Sequence, residues 1–302
     1  MDSRELKYLV LLNIVVPIWG MTAILGKLIS VGSGVLVWYR MLIAIAGIVA
    51  YFLIARKTFT LPRAMLIKTL LVGLLVATHW VCFFEAIKIA NVSIMLVCLS
   101  LAPLFISFIE PLLFKRRFRA YEGILGVSSV IGMASVFAFE SHYLAGILIG
   151  IVSVLFSSLF AVINGILVRT CEARLISFYE LIGGWFGVSL YVLVFQRTPP
   201  TDFELAWSDT GYLLLLGLLC TSFAYIASVE VMKVLTPFTT MLIVNLEPLY
   251  GIVLALLVFG ESEYMSWGFY FGGAIIIISI FANGFLRRRF DPSLRGKDLH
   301  AA

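Results

Sequence analysis

The sequence predicts an all-α integral membrane protein: ten transmembrane helices in two inverted five-helix repeats, with both termini cytoplasmic. Three observations carry this. Of its 302 residues, 62% are hydrophobic and only 13% are charged, against about a quarter charged in soluble domains. Apolar runs of about twenty residues, the length that crosses a ~30 Å hydrocarbon core, recur along the chain. Backbone groups in lipid must be satisfied within their own segment, so such runs read as helices. Finally, Glu85-Ala86-Ile87-Lys88 returns 145 residues later as Glu230-Val231-Met232-Lys233, and Leu101-Ala102-Pro103-Leu104 returns at the same offset as Leu246-Glu247-Pro248-Leu249. An odd number of spans per copy turns the second copy over.

The spans follow in order. The first, 7–28, comes after Arg4 and Lys7 as a signal peptide would, but it is too long, contains Pro17 and Lys27, and lacks a small-residue cleavage site. The second, 35–55, opens with Trp38-Tyr39-Arg40, and the third, 64–86, holds His79 and Trp80. The fourth, 91–113, contains Pro103, and the fifth is 121–139. The second half repeats the plan at 145–168, 175–196, 211–232, 238–258 and 266–286. Phe178-Tyr179-Glu180 stands 140 residues after Trp38-Tyr39-Arg40, and Gly187 stands 140 after Gly47. The change from 140 to 145 implies a small length difference between the second and third spans of each half. The glycine pairs 146/150, 183/187 and 268/272 read as close helix packing. The resulting divisions are 1–140, 141–288 and a basic cytoplasmic tail, 289–302.

Of the 22 lysines and arginines, eighteen fall in loops or ends on one side, three (Lys27, Lys88, Arg197) on the other, and Arg40 lies inside a span. That asymmetry places the majority side in the cytoplasm. It also explains the net charge of +5 without a nucleic-acid partner. Cys82, Cys98, Cys171 and Cys220 are scattered and read as packing residues, with no disulfide framework. No phosphate-cradling Gly-rich loop with Lys-Ser/Thr is present, so the chain has no sign of direct ATP use. No paired carboxylates or Ser/His/Asp set shares one depth, which speaks against an intramembrane lipid-modifying enzyme. The expectation is therefore no enzyme, no cofactor and no metal site.

The motifs resemble the EamA-type ten-helix exporters of the drug/metabolite transporter superfamily over nearly the whole chain. The resemblance rests on Trp19-Gly20, Trp38-Tyr39-Arg40, Ala90-Asn91-Val92-Ser93 leading to Ala102-Pro103-Leu104-Phe105, then Leu246-Glu247-Pro248-Leu249, Phe259-Gly260-Glu261 and a glycine-rich last helix. Phe114-Lys115-Arg116 departs from it where a second Gly-Glu is typical. The resemblance implies a central cavity lined by spans one, three, four, six, eight and nine. It also implies a secondary transporter that exports small metabolites, amino acids or their derivatives, through the inner cell membrane. The expected partners are that solute and the bilayer, with protons as a candidate from Glu247, and the expected state is monomer or homodimer. The rival reading within the class is a broad drug efflux protein.

Charges inside a bilayer are costly and mark function. Glu247 lies about nine residues into its span, hence ~14 Å deep at ~1.5 Å per residue. There it meets a wet cavity, a cation of the substrate or a proton. Trp19, Thr22, His79, Trp80, Phe83, Ser100, Ser157, Asn164, Ser222, Tyr225 and Asn245 are expected to share the cavity with it. Alternating access also calls for gates. Arg40 with Glu85 is expected to close the outer side, and Glu180 with Lys233, beside Glu230, the inner side.

Overall fold

The computed structural model describes residues 3–115 and 120–290, with backbone alone over 120–129 and most of 280–290. Arg116, Arg117, Arg119 and the tail from 291 to 302 lie outside the described residues. The helices are α1 (Ser3–Leu28), α2 (Ser33–Ile54), α3 (Arg63–Ile89), α4 (Val92–Leu99), α5 (Ala102–Phe114), α6 (Ala120–Phe139), α7 (Leu144–Leu167), α8 (Ala173–Leu190), α9 (Trp207–Gly217), α10 (Ala224–Val231), α11 (Pro237–Val244), α12 (Glu247–Phe259) and α13 (Trp267–Phe290). No strand occurs among the described residues. Eight helical segments are long and apolar enough to cross a membrane, and α6 and α13 add the apolar stretches Val130–Phe139 and Trp267–Ser279.

Two expected spans are broken. The fourth is α4 and α5, and the ninth is α11 and α12; both breaks fall just before a proline, Pro103 or Pro248. A proline ring supplies no N–H to the carbonyl four residues back, so a helix restarts there more easily than it continues. The eighth span is α9 and α10 joined by a π-helical turn, Leu218–Phe223. α5 and α12 both end on a residue of positive φ at the repeat offset, Lys115 (φ 52°) and Gly260 (φ 57°), but with different ψ, 34° and −129°. Lys115 holds its left-handed conformation without a glycine, at a conformational cost of about 1 kcal/mol.

The two halves interlock. α3 packs on α7 and α8, while α1 and α2 pack on the α9 and α10 segments of the eighth span. α6 packs on α13, and α12 on α1 and α4. Where α3 crosses α8 the backbones touch: a Cβ on Gly73 would meet the carbonyl oxygen of Glu180, and one on Gly183 that of Leu70. At the α6 crossing, a Cβ on Gly272 would meet the carbonyl of Gly132. Such approach suits helices that associate without a hydrophobic drive between them. The outer surface is apolar, with Ile54, Leu112, Leu257 and Phe195 largely exposed, as lipid contact requires. Trp207 (94% exposed) and Trp267 (87%) stand at helix starts on one end of the bundle, where interfacial anchors belong.

Candidate functional site

The two breaks border a central cavity of about 90 Å³, and the π turn stands behind its wall, bonded to Trp19 and Arg40. Each break turns side chains inward: Leu99 and Ala102 from the first, Val244, Asn245 and Glu247 from the second. Glu247 is the first residue of α12, so its carboxylate lies at a helix N-terminus, where negative charge is favoured. The matching position in the first half is Ala102. The carboxylate is thus a feature of one half only.

α2 supplies a cation, Arg40, and the π turn anchors it. Trp19 Nε1 donates to the carbonyl of Cys220 at 3.1 Å, inside that turn. Arg40 Nε donates to Thr221 Oγ1 at 2.6 Å, and Thr221 in turn donates to the Leu216 carbonyl five residues back. The Arg40 guanidinium carbon lies 3.9 Å from the Trp80 ring centroid, a stacked cation–π geometry. Arg40 is 2% exposed, and its Nη1 has no hydrogen-bond partner. Among the described residues no carboxylate lies within 4 Å of it. Asn245 Nδ2 is likewise buried without a partner.

Trp19, Thr22, His79, Trp80, Phe83, Ser157, Tyr225, Asn245 and Glu247 line the cavity, as expected. The ring of His79 packs near Phe83 and Phe160. Its Nδ1 contacts both the hydroxyl (2.8 Å) and the carbonyl (3.0 Å) of Ser153, which leaves Nε2 for a ligand. Three expected residues are placed elsewhere. Ser100 is buried at the α4 break, outside the cavity wall. Ser222 donates to the carbonyls of Ala44 and Gly217 in a separate groove. Asn164 joins Glu180 beneath the wall. The sequence reading overlooked Thr240, Met241, Ser228 and Met232, which extend the wall toward the end of the bundle that holds α1's start.

The expected gates are not formed in this conformation. Glu85 accepts from Ser33 Oγ at 2.5 Å, and Arg40 points instead to Thr221 and Trp80. Lys233 pairs with Glu230 on its own turn at 2.8 Å, and Glu180 accepts from Tyr225 and Asn164. At one end of the bundle a different polar cluster is formed, from residues absent from that list. Lys27 donates to Glu263 Oε1 at 2.7 Å, and the 0%-exposed Glu263 also accepts from Val92 N, Ser93 N and Ser93 Oγ at 3.2, 2.9 and 2.8 Å. Nearby, buried Asp209 accepts from the backbone N–H and hydroxyl of Ser30. These bonds tie the α1–α2 turn, the start of α4 and the α12–α13 link together at one end.

A helical bundle with apolar flanks, broken central helices and an internal cavity lined by an arginine and a glutamate fits a multi-pass membrane carrier. The EamA-like transporter family matches residues 6–138 and 144–285. The chain belongs to that family, and it is a membrane transporter for a small molecule. No curated protein matches it in sequence. A crystal structure described only as that of a protein shares its fold, with TM-score 0.70 and 16% identity, covering 94% of this chain and 99% of the other.

Proposed function

We propose that the chain exports a small zwitterionic metabolite, an amino acid or close derivative, from the cytoplasm by alternating access. The observation that carries this is that an unpartnered guanidinium nitrogen, Arg40 Nη1, and the carboxyl group of Glu247 stand unpaired on the wall of one cavity. A solute carboxylate would take the open N–H of Arg40 and its ammonium group would take Glu247. Asn245 and the hydroxyls of Thr22 and Ser157 serve the remaining polar groups, and Trp19, Trp80 and Phe83 its apolar part. Buried charges left open this way cost free energy until a ligand meets them. The cavity size supports a small metabolite over a broad drug substrate.

In this reading there are ten spans, α6 and α13 completing the five of each half, within divisions 1–140 and 141–288. Both termini lie in the cytoplasm of an inner cell membrane. The Lys27–Glu263 end is then external, and the conformation is closed outward, with Met232, Thr240 and Met241 marking the inward approach. The test is a thermal-shift screen of purified protein against alanine, serine, nucleosides, sugars and cationic dyes. A ligand at a hundredfold excess over its dissociation constant stabilises by about 2.7 kcal/mol. Stabilisation by amino acids that is lost in both Arg40→Gln and Glu247→Gln supports the proposal; a response only to dyes or nucleosides rejects it.

A further inference from the structure

Arg40 and Glu180 hold matching places in the two repeats, 140 residues apart, and Trp80 and Tyr225 match at 145. In the first half the guanidinium lies on the Trp80 ring. In the second, Tyr225 OH donates to Glu180 Oε2 at 2.6 Å. The two rings meet edge to face, 5.8 Å between centroids. Equivalent positions therefore hold a permanent cation in one half and a titratable acid in the other, joined through two aromatic side chains.

Glu180 is 0% exposed. Asn164 Nδ2 donates to Oε2 at 3.2 Å and to Tyr225 OH at 3.3 Å, yet Glu180 Oε1 and Asn164 Oδ1 both lack a donor. Of the helices packed around it, α3 presents Gly73 and carries Lys68 toward its start and His79 on the cavity wall. α2 carries Arg40, and α7 brings Asn164. α10 brings Tyr225 and Glu230, the latter paired with Lys233. Among the described residues no cation lies within 4 Å of Glu180. An ionised carboxylate here has no counter-ion and too few donors. One proton on Oε1 removes the charge and supplies the missing donor. A metal cation asks for about six oxygen ligands, and this cluster leaves two oxygens open.

We propose that Glu180 is a proton-binding site that couples proton movement to transport, with Tyr225 as its link to the cavity. The coupling rests on the zwitterion reading above; the proton site itself does not. Tyr225 lines the cavity with its ring, against Trp80 and Phe160, while its hydroxyl serves Glu180. A solute that moves the ring moves the carboxylate's hydrogen-bond donor.

Two readouts separate these claims. In liposomes holding the full chain, an infrared pH titration should show a carboxylic-acid carbonyl band that disappears with rising pH and is missing in Glu180→Gln. Tyr225→Phe should displace that band, because the acid loses its 2.6 Å donor; an unmoved band would overturn Tyr225 as the link to the cavity. With membrane potential clamped and sodium replaced by choline, an imposed gradient of one pH unit, of one sign or the other, should concentrate radiolabelled alanine up to about tenfold for one-to-one coupling. The Glu180→Gln protein, shown by monodisperse elution to be folded, should reach a ratio of about one. No Glu180-dependent band, an accumulation that survives Glu180→Gln, or a need for sodium would overturn the inference. A Glu180-dependent band in a protein that moves no amino acid would keep the proton site and reject the substrate class instead.

Discussion

At the scale of single residues, the intramembrane charges were visible in the sequence but their partners were not. Depth along a helix can be counted from the chain; the direction a side chain faces cannot. Arg40 and Glu85 share an end of the bundle, yet Glu85 turns to Ser33 and Arg40 to Thr221 and Trp80. Glu263 was passed over because it stands in a polar turn, where a carboxylate looks solvated; it is buried under four donors. Two expectations belong here. Arg40→Lys keeps the charge but loses the planar stack on Trp80 and the Nε bond to Thr221, so the initial rate of alanine uptake in vesicles should fall at least about tenfold, an effect of ~1.4 kcal/mol or more. Glu263→Ala leaves Lys27 and the α4 amides without their acceptor, which should cost about 3 kcal/mol of stability in thermal unfolding. Lys27→Ala in the same background should then add little, since the interaction is already gone.

At the scale of elements, helices and their approximate ends followed from apolar run length, but the fourth and ninth spans were expected to be continuous; Pro103 and Pro248, at the repeat offset, stand where the structure breaks them. The π turn was not signalled. Leu218-Leu219-Cys220-Thr221-Ser222-Phe223 contains no glycine or proline, and its widening depends on Trp19 and Arg40 arriving from other helices. The only local hint is the adjacent hydroxyls of Thr221 and Ser222, which bond carbonyls five residues back. Pro248→Ala restores an N–H beside the Val244 carbonyl and favours one continuous helix through the break. The altered protein should unfold at a temperature equal to or above that of the native chain, while the thermal shift induced by alanine shrinks, because Asn245 and Glu247 leave the cavity wall. In the first half, at the end of α5, Lys115→Gly relieves a left-handed residue and should stabilise by about 1 kcal/mol, measured the same way.

At the scale of the whole molecule, the duplication was plain from the offsets of 140 and 145, and the family match in two stretches agrees with it. What the offsets do not contain is how the copies mesh. The glycine pair at 183/187 announced a close crossing without naming the partner; that partner is α3, at Gly73 and Leu70. Gly183→Leu should drive α3 away from α8 and yield aggregated protein in size-exclusion chromatography, whereas Gly211→Leu, at a glycine open to its surroundings, should elute normally.

The meshing also bears on biogenesis. Because α3 makes its close backbone crossing at Gly73 with α8 and packs along α7, the early helices would leave the translocon with that ridge still uncovered. The nascent protein must wait, half assembled in lipid, until more than half of it has been translated. Quality-control proteases should therefore destroy a fragment stopped after α6, and a separately synthesised remainder, supplied in the same cell, should rescue it.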